Sequence, residues 1–178
     1  VGGMHARAGA VPASFSAAGR AVVAFGGESW VVGCSFDGGI DYHDAMLTYL
    51  TAEGNQIAFM RFHPDDNQSA TITDAVLSGD AGDIAAVGAF TGALDFGNGA
   101  MDAGASYDAF LAQIGSDFVA SASTSWGDNA NVQRAESVAI AADGAHFVAG
   151  RFTGTIAIGG AELTATGSDD IFVARIPP

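Results

Sequence analysis

Residues 74–114 and 136–176 repeat one another at a shift of 62 residues, with no gap across 41 positions. Gly88-Ala89-Phe90-Thr91-Gly92 falls on Gly150-Arg151-Phe152-Thr153-Gly154, and Phe96-Gly97 falls on Ile158-Gly159. Ser106, Asp108, Phe110, Ala112 and Ile114 then meet Ser168, Asp170, Phe172, Ala174 and Ile176. A period of this length marks stacked supersecondary units, each needing a neighbour to bury its apolar faces. A third copy precedes these two. Asp44 to Leu50 aligns with Asp108 to Ile114, and Gly27 to Gly33 aligns with Gly144 to Gly150. Between Gly33 and Asp44 this copy is about nine residues shorter than the others, which predicts one trimmed hairpin.

Each copy breaks into short strand-like pieces separated by turn residues. Ser137–Ala141 ends at Asp143-Gly144, His146–Phe152 ends at Thr153-Gly154, and Ile171–Ile176 follows the Gly159-Gly160 region. A fourth piece, Phe118–Ser123, runs on to Trp126-Gly127 in the middle copy. Asn98-Gly99 predicts a type I′ hairpin, because both residues tolerate positive φ. Phe147-Val148-Ala149 and Ile171-Phe172-Val173-Ala174 are apolar at odd and even positions alike, as in strands buried on both faces. Recurrent Gly and β-branched residues disfavour helix. The expected fold is therefore all-β, built of four-stranded antiparallel blades of a β-propeller, with a β-sandwich or other β-stack as the alternative.

The expected organisation is an N-terminal segment over residues 1–20 and propeller repeats over 21–178, approximately 21–62, 74–126 and 136–178. The strand-like Met4-His5-Ala6-Arg7 would make the first segment a closing strand. Three blades are fewer than the roughly four to eight of a closed propeller. Self-assembly, or continuation in a longer chain, would complete the ring. The start at Val1 and the lack of a signal-peptide pattern suit a processed or excised product.

The stretches Ala85–Ile114 and Phe147–Ile176 resemble the SBBP-type β-propeller repeat of bacterial secreted and surface proteins. The resemblance implies a blade architecture and a secreted, periplasmic or cell-surface location, and implies no particular activity.

Twenty acidic residues face six arginines and no lysine, for a net charge of −14. Such a surface repels nucleic acid and anionic membranes. No apolar run approaches the roughly 20 residues of a membrane helix, so no membrane insertion is expected. Cys34 is the only cysteine and reads as a small buried hydrophobe. The four histidines, His5, His43, His63 and His146, are dispersed, which argues against zinc. Oxygen-rich segments at Asp65-Asp66-Asn67 and Asp41-Tyr42-His43-Asp44 offer weak Ca²⁺ ligand sets without the spacing of a calcium loop. Ca²⁺ is the one cofactor the chain would suit, and both segments read as solvated loops.

No nucleophile elbow, Cys–His signature or phosphate loop is present, so no catalytic residue is assigned and the reading leans away from an enzyme. Asp44, Asp108 and Asp170, with Gly33, Gly88 and Gly150, recur at fixed repeat positions and read as structural. The aspartates are expected to accept backbone N–H bonds at a turn, so that removing one costs about 0.5–2 kcal/mol. Trp30 reads as core, while Trp126 and Tyr107 are candidates for sugar-stacking platforms. The expected function is a binding or scaffolding module for a protein or carbohydrate ligand. The alternative is a carbohydrate-active hydrolase using carboxylates that line a central channel.

Overall fold

The computed structural model describes residues 15–37, 43–64, 67–79 and 82–178. The expected closing strand at Met4–Arg7 lies outside them. The chain is all-β, with no helix among the described residues. β1 (Phe15–Phe25), β2 (Glu28–Asp37), β3 (His43–Leu50) and β4 (Gln56–Phe62) form an antiparallel meander. β1 begins ahead of residue 21, so residues 15–20 run within the first sheet.

In the second sheet β5 (Ala70–Leu77) pairs with β6 (Ile84–Phe90), β6 with β9 (Asp108–Ile114), and β9 with β10 (Ala120–Trp126). A small hairpin of β7 (Ala93–Asp95) and β8 (Ala100–Asp102) stands between β6 and β9. The third sheet repeats the pattern with β11 (Gln133–Ile140), β12 (His146–Phe152) and β15 (Asp170–Ile176), and its hairpin is β13 (Thr155–Ile158) with β14 (Ala161–Thr164). In the first sheet β2 pairs directly with β3, and no such hairpin stands between them among the described residues. This is the trimmed element expected from the sequence. Among the described residues no closed ring of sheets is shown.

The first strand of every sheet carries a β-bulge, at Arg20, Thr73 and Glu136. Opposite each bulge lies one of the repeated glycines. A Cβ on Gly33, Gly88 or Gly150 would stand 2.0, 1.9 or 2.1 Å from the carbonyl oxygen of Ala18, Thr71 or Arg134. No side chain fits there. The rings of Phe110 and Phe172 close over Gly88 and Gly150 from the next strand, and Met46 pairs with Gly33 in the first sheet. Aromatic cover of a strand glycine restores the packing that the missing side chain gives up.

Two cores lie between the three sheets. Trp30, Val32, Ala45 and Leu47 of the first sheet meet Ile84, Ala86, Phe90 and Phe110 of the second. From the opposite face of the second sheet, Ala85, Val87, Ala109 and Leu111 meet Val148, Phe152, Phe172 and Ala174 of the third. Every residue of β6 is buried. Small residues at alternate positions let sheets approach closely on both sides. Hydrogen bonds fasten the second junction: Thr73 Oγ1 donates to the Ala135 carbonyl at 2.7 Å, and Asp74 Oδ2 accepts from Ser137 Oγ at 2.8 Å and the Val138 N–H at 3.0 Å.

Three local expectations are corrected. The gap-free alignment fails in the first strand, where Asp74 is equivalent to Ser137 and not to Glu136. The β5–β6 turn holds one residue more than the β11–β12 turn and absorbs the offset. Asn98-Gly99 does not form a type I′ turn, since Asn98 has no positive φ and Asp95 Oδ1 instead takes the N–H groups of Gly97 and Gly99 at 2.7 and 3.0 Å. Tight two-residue turns with both φ values positive form at Gly26-Gly27 and at Gly159-Gly160. Phe118 sits in the turn at φ 65°, so the fourth strand starts at Ala120; the ring is held edge-on against Trp30 at 5.1 Å.

Gly150→Ala is expected to destabilise the fold by about 3 kcal/mol, because the backbone oxygen it meets cannot move without breaking the bulge. Gly167→Ala, with open space around it and no positive φ, should change stability by less than about 0.5 kcal/mol. Thermal melts of the two variants give the comparison.

Candidate functional site

The repeated aspartates share a backbone position and differ in everything around it. Asp170 behaves as expected: its Oδ2 accepts the Thr166 N–H at 2.7 Å and the Thr166 hydroxyl at 3.2 Å. Asp44 is buried and instead forms an ion pair with Arg61 at 2.8 Å and a hydrogen bond with His63 Nδ1 at 2.5 Å. Asp108 is 4% exposed, and its Oδ1 has no hydrogen-bond partner. Gly127 packs directly on this carboxylate, with its Cβ position only 1.9 Å from Oδ1.

The surroundings of Asp108 form the most electrostatically strained cluster among the described residues. Burial raises its pKa to about 6, and the charges of Asp128 and Asp102 add to the shift. Partial burial also pushes Asp128 upward, but hydrogen bonds outweigh it and hold this carboxyl at about 2. The donors are the Asn131 N–H and side-chain amide, both at 2.7 Å, the Ala130 N–H at 3.0 Å and the Gln133 amide at 3.2 Å. Two neighbouring carboxyls with pKa values driven apart are what an acid–base pair requires. Here the group with the raised pKa is sealed beneath Gly127, where no substrate can reach it.

A second pair lies in an open groove of about 410 Å³ lined by Asp83, Gly115, Ser116, Asp117 and Ser121. The Oδ1 atoms of Asp117 and Asp83 stand 2.9 and 3.6 Å from the Cβ position of Gly115. No aromatic side chain lines this groove, and Asp117 Oδ1 accepts the Val119 N–H. A third feature is a cavity of about 200 Å³ between the second and third sheets, bordered by Leu111, Gln113, Thr124, His146 and Ile176. Burial lowers the pKa of His146 and keeps it neutral, and its Nδ1 lacks a partner.

The other sequence candidates scatter. Asp65 and Asp66 of the proposed Ca²⁺ loop lie outside the described residues, as do Asp41, Tyr42 and His5. Asn67 is exposed in a left-handed conformation. Among the described residues no three His, Cys, Asp or Glu side chains converge as metal ligands. Trp30 is fully buried and donates its indole N–H to the Gly82 carbonyl at 2.8 Å, and Cys34 is buried. Arg134 covers the Tyr107 ring at 3.7 Å, and Trp126 packs half-buried against the second core. Neither offers a bare platform to a sugar. The strain at Asp108 was invisible in sequence because it depends on the particular residues of the loop 127–132, and the corresponding β4–β5 connection near Asp44 carries a different sequence.

No protein-family model matches the chain, and no curated protein matches it significantly. No helix among the described residues is long and apolar enough to cross a membrane.

Asp108 gives a pH dependence of defined sign. Its folded pKa is raised from the model-peptide value of 3.8 to about 6, so its contribution is fully present below pH ~4 and is lost as pH rises through ~6. Ionising it in the folded state costs about 3 kcal/mol. His146 acts oppositely in part of this window, since its depressed pKa removes stability as pH falls below about 6.5, so the parent curve is flattened. Asp108→Asn is expected to be more stable than the parent above pH ~7, by about 1–3 kcal/mol, with the difference vanishing near pH 4. Denaturant midpoints of the two proteins across this range measure it.

Proposed function

We propose that this chain is a β-propeller-type repeat module, of the kind its SBBP-like segments suggest, and that it binds or scaffolds other macromolecules outside the cell or at its surface. The observation that carries the reading is that, among the described residues, both terminal sheets present large apolar side chains on a face that no other sheet covers. Phe147, Ile171 and Val173 on the third sheet are 41, 84 and 69% exposed, and Val22 and Ile57 on the first are 68 and 50% exposed. Among the described residues no strand pairs with the outer edge of β15, which adds backbone donors and acceptors to the first of these surfaces. Exposed apolar faces of this kind mark interaction sites. A protein partner suits them better than a carbohydrate, given that Trp30, Tyr107 and Trp126 are all engaged. The net charge of −14 disfavours nucleic acid.

The hydrolase reading draws support from the split carboxyl pair Asp108–Asp128 and from the Asp83–Asp117 groove. Burial of Asp108 and the absence of an aromatic wall in the groove weigh against it. The expected result with a panel of fluorogenic glycosides, from about pH 4 to 8, is no turnover above the uncatalysed rate. Turnover abolished by Asp108→Asn or Asp117→Asn would replace the scaffold reading with the catalytic one. Protease shaving of intact cells, followed by immunodetection, tests the surface location.

A further inference from the structure

The two open faces are the two halves of a joint that the molecule already makes twice. At each internal junction the same side of one sheet packs on the opposite side of the next. The second sheet offers Ala85, Val87 and Leu111 forward to the third and receives the first on Ile84, Ala86 and Phe110. Strand register places Phe147, Ala149 and Val173 on the forward side of the third sheet, at the positions of Ala85, Val87 and Leu111. It places Val22, Val31 and Thr48 on the receiving side of the first, at the positions of Ala75, Ala86 and Ala112.

Charge fits the same joint. Between the second and third sheets, the bulge residue Thr73 and its neighbour Asp74 grip Ala135, Ser137 and Val138 around the next bulge. The residues equivalent to Thr73 and Asp74 in the third sheet are Glu136 and Ser137. Those equivalent to Ala135, Ser137 and Val138 in the first sheet are Gly19, Ala21 and Val22, with Arg20 as the bulged residue. A third-to-first joint made on this pattern sets Glu136 against the bulge bearing Arg20. Both side chains are exposed, and Glu136 makes a 3.4 Å surface contact with Arg151.

We infer that a second copy of this chain docks head to tail, the forward face of the third sheet of one copy receiving the first sheet of the next, with Glu136 and Arg20 as opposed charges at the joint. Such a contact is heterologous, so it propagates until a ring closes or a filament grows. The inference deepens the scaffold reading above by naming its partner.

Sedimentation velocity of the 178-residue chain over a wide concentration range is expected to show association beyond the monomer. Val22→Asp spoils only the receiving face and Val173→Asp only the forward face. Each variant alone should stay monomeric with an unchanged β-sheet circular dichroism spectrum, and the two mixed should form a 1:1 dimer that grows no further. Arg20→Glu and Glu136→Arg should each weaken association by about threefold, and the double reversal should restore it. A parent that is monomeric at every concentration overturns the inference, as does a mixture of the aspartate variants that stays monomeric, or a double reversal that fails to restore association. If the variants misfold, the charge reversals alone decide. None of these failures touches the scaffold reading, which stands or falls on the glycoside panel.

Discussion

Everything in this fold is set by the contact between a bulge carbonyl and a bare glycine. A bulge puts one extra residue into the first strand of each sheet, and the backbone oxygen before it is pressed towards the second strand. At about 2 Å from the Cβ position, that oxygen leaves room only for hydrogen at Gly33, Gly88 and Gly150. The bulge fixes the register of the first pair of strands, and the phenylalanine ring lying over Gly88 or Gly150 fixes the third strand against the second. A one-residue slip would turn every core side chain outward. The same bulge turns Thr73 and Asp74 towards the next sheet, so the constraint inside a unit also makes the bond between units.

From that repeating joint follows the unequal state of the three sheets. The middle one is covered on both faces, and its second strand is buried from Ile84 to Phe90. Among the described residues the outer two are each covered on one face only. Their uncovered sides keep the apolar character of the covered ones, with Val22 on one and Ile171 and Val173 on the other. On the third sheet Arg151 and Arg175 stand on that same side, opposite Ile171 and Phe147, and their charges are engaged by Glu136 and Asp169 and by Asp143.

Much of this architecture was legible because a repeat displays its constraints more than once. Gly88 and Gly150, or Phe110 and Phe172, identify each other as structural before any coordinate is known. The missing hairpin of the first unit was equally readable, being a deletion at a fixed place. What escaped was whatever depends on residues that do not repeat. The single-residue offset between β5 and β11 hides in a turn, where apolar residues on both parities tolerate either register. The Asn98-Gly99 turn lost to Asp95, a capping carboxylate whose reach sequence patterns do not weigh. The edge-on contact between Phe118 and Trp30 overrides the backbone preference of an aromatic residue at positive φ.

The repeated aspartate shows how far equivalence of position extends. The backbone asks for the same residue three times, at the start of the third major strand, and the loops then decide what it does. Near Asp170 the turn supplies an N–H and a hydroxyl from Thr166. Near Asp44 a neighbouring strand supplies Arg61. Near Asp108 the loop gives its donors to Asp128, brings Gly127 down on the carboxylate, and adds negative charge. An unsatisfied buried carboxylate is a net loss to stability at neutral pH. The acidic chain keeps it in the middle unit, where the sheets on either side are packed and the loss can be tolerated. Strain concentrates in the middle unit, whereas Asp44 and Asp170 of the outer units are each engaged with a partner.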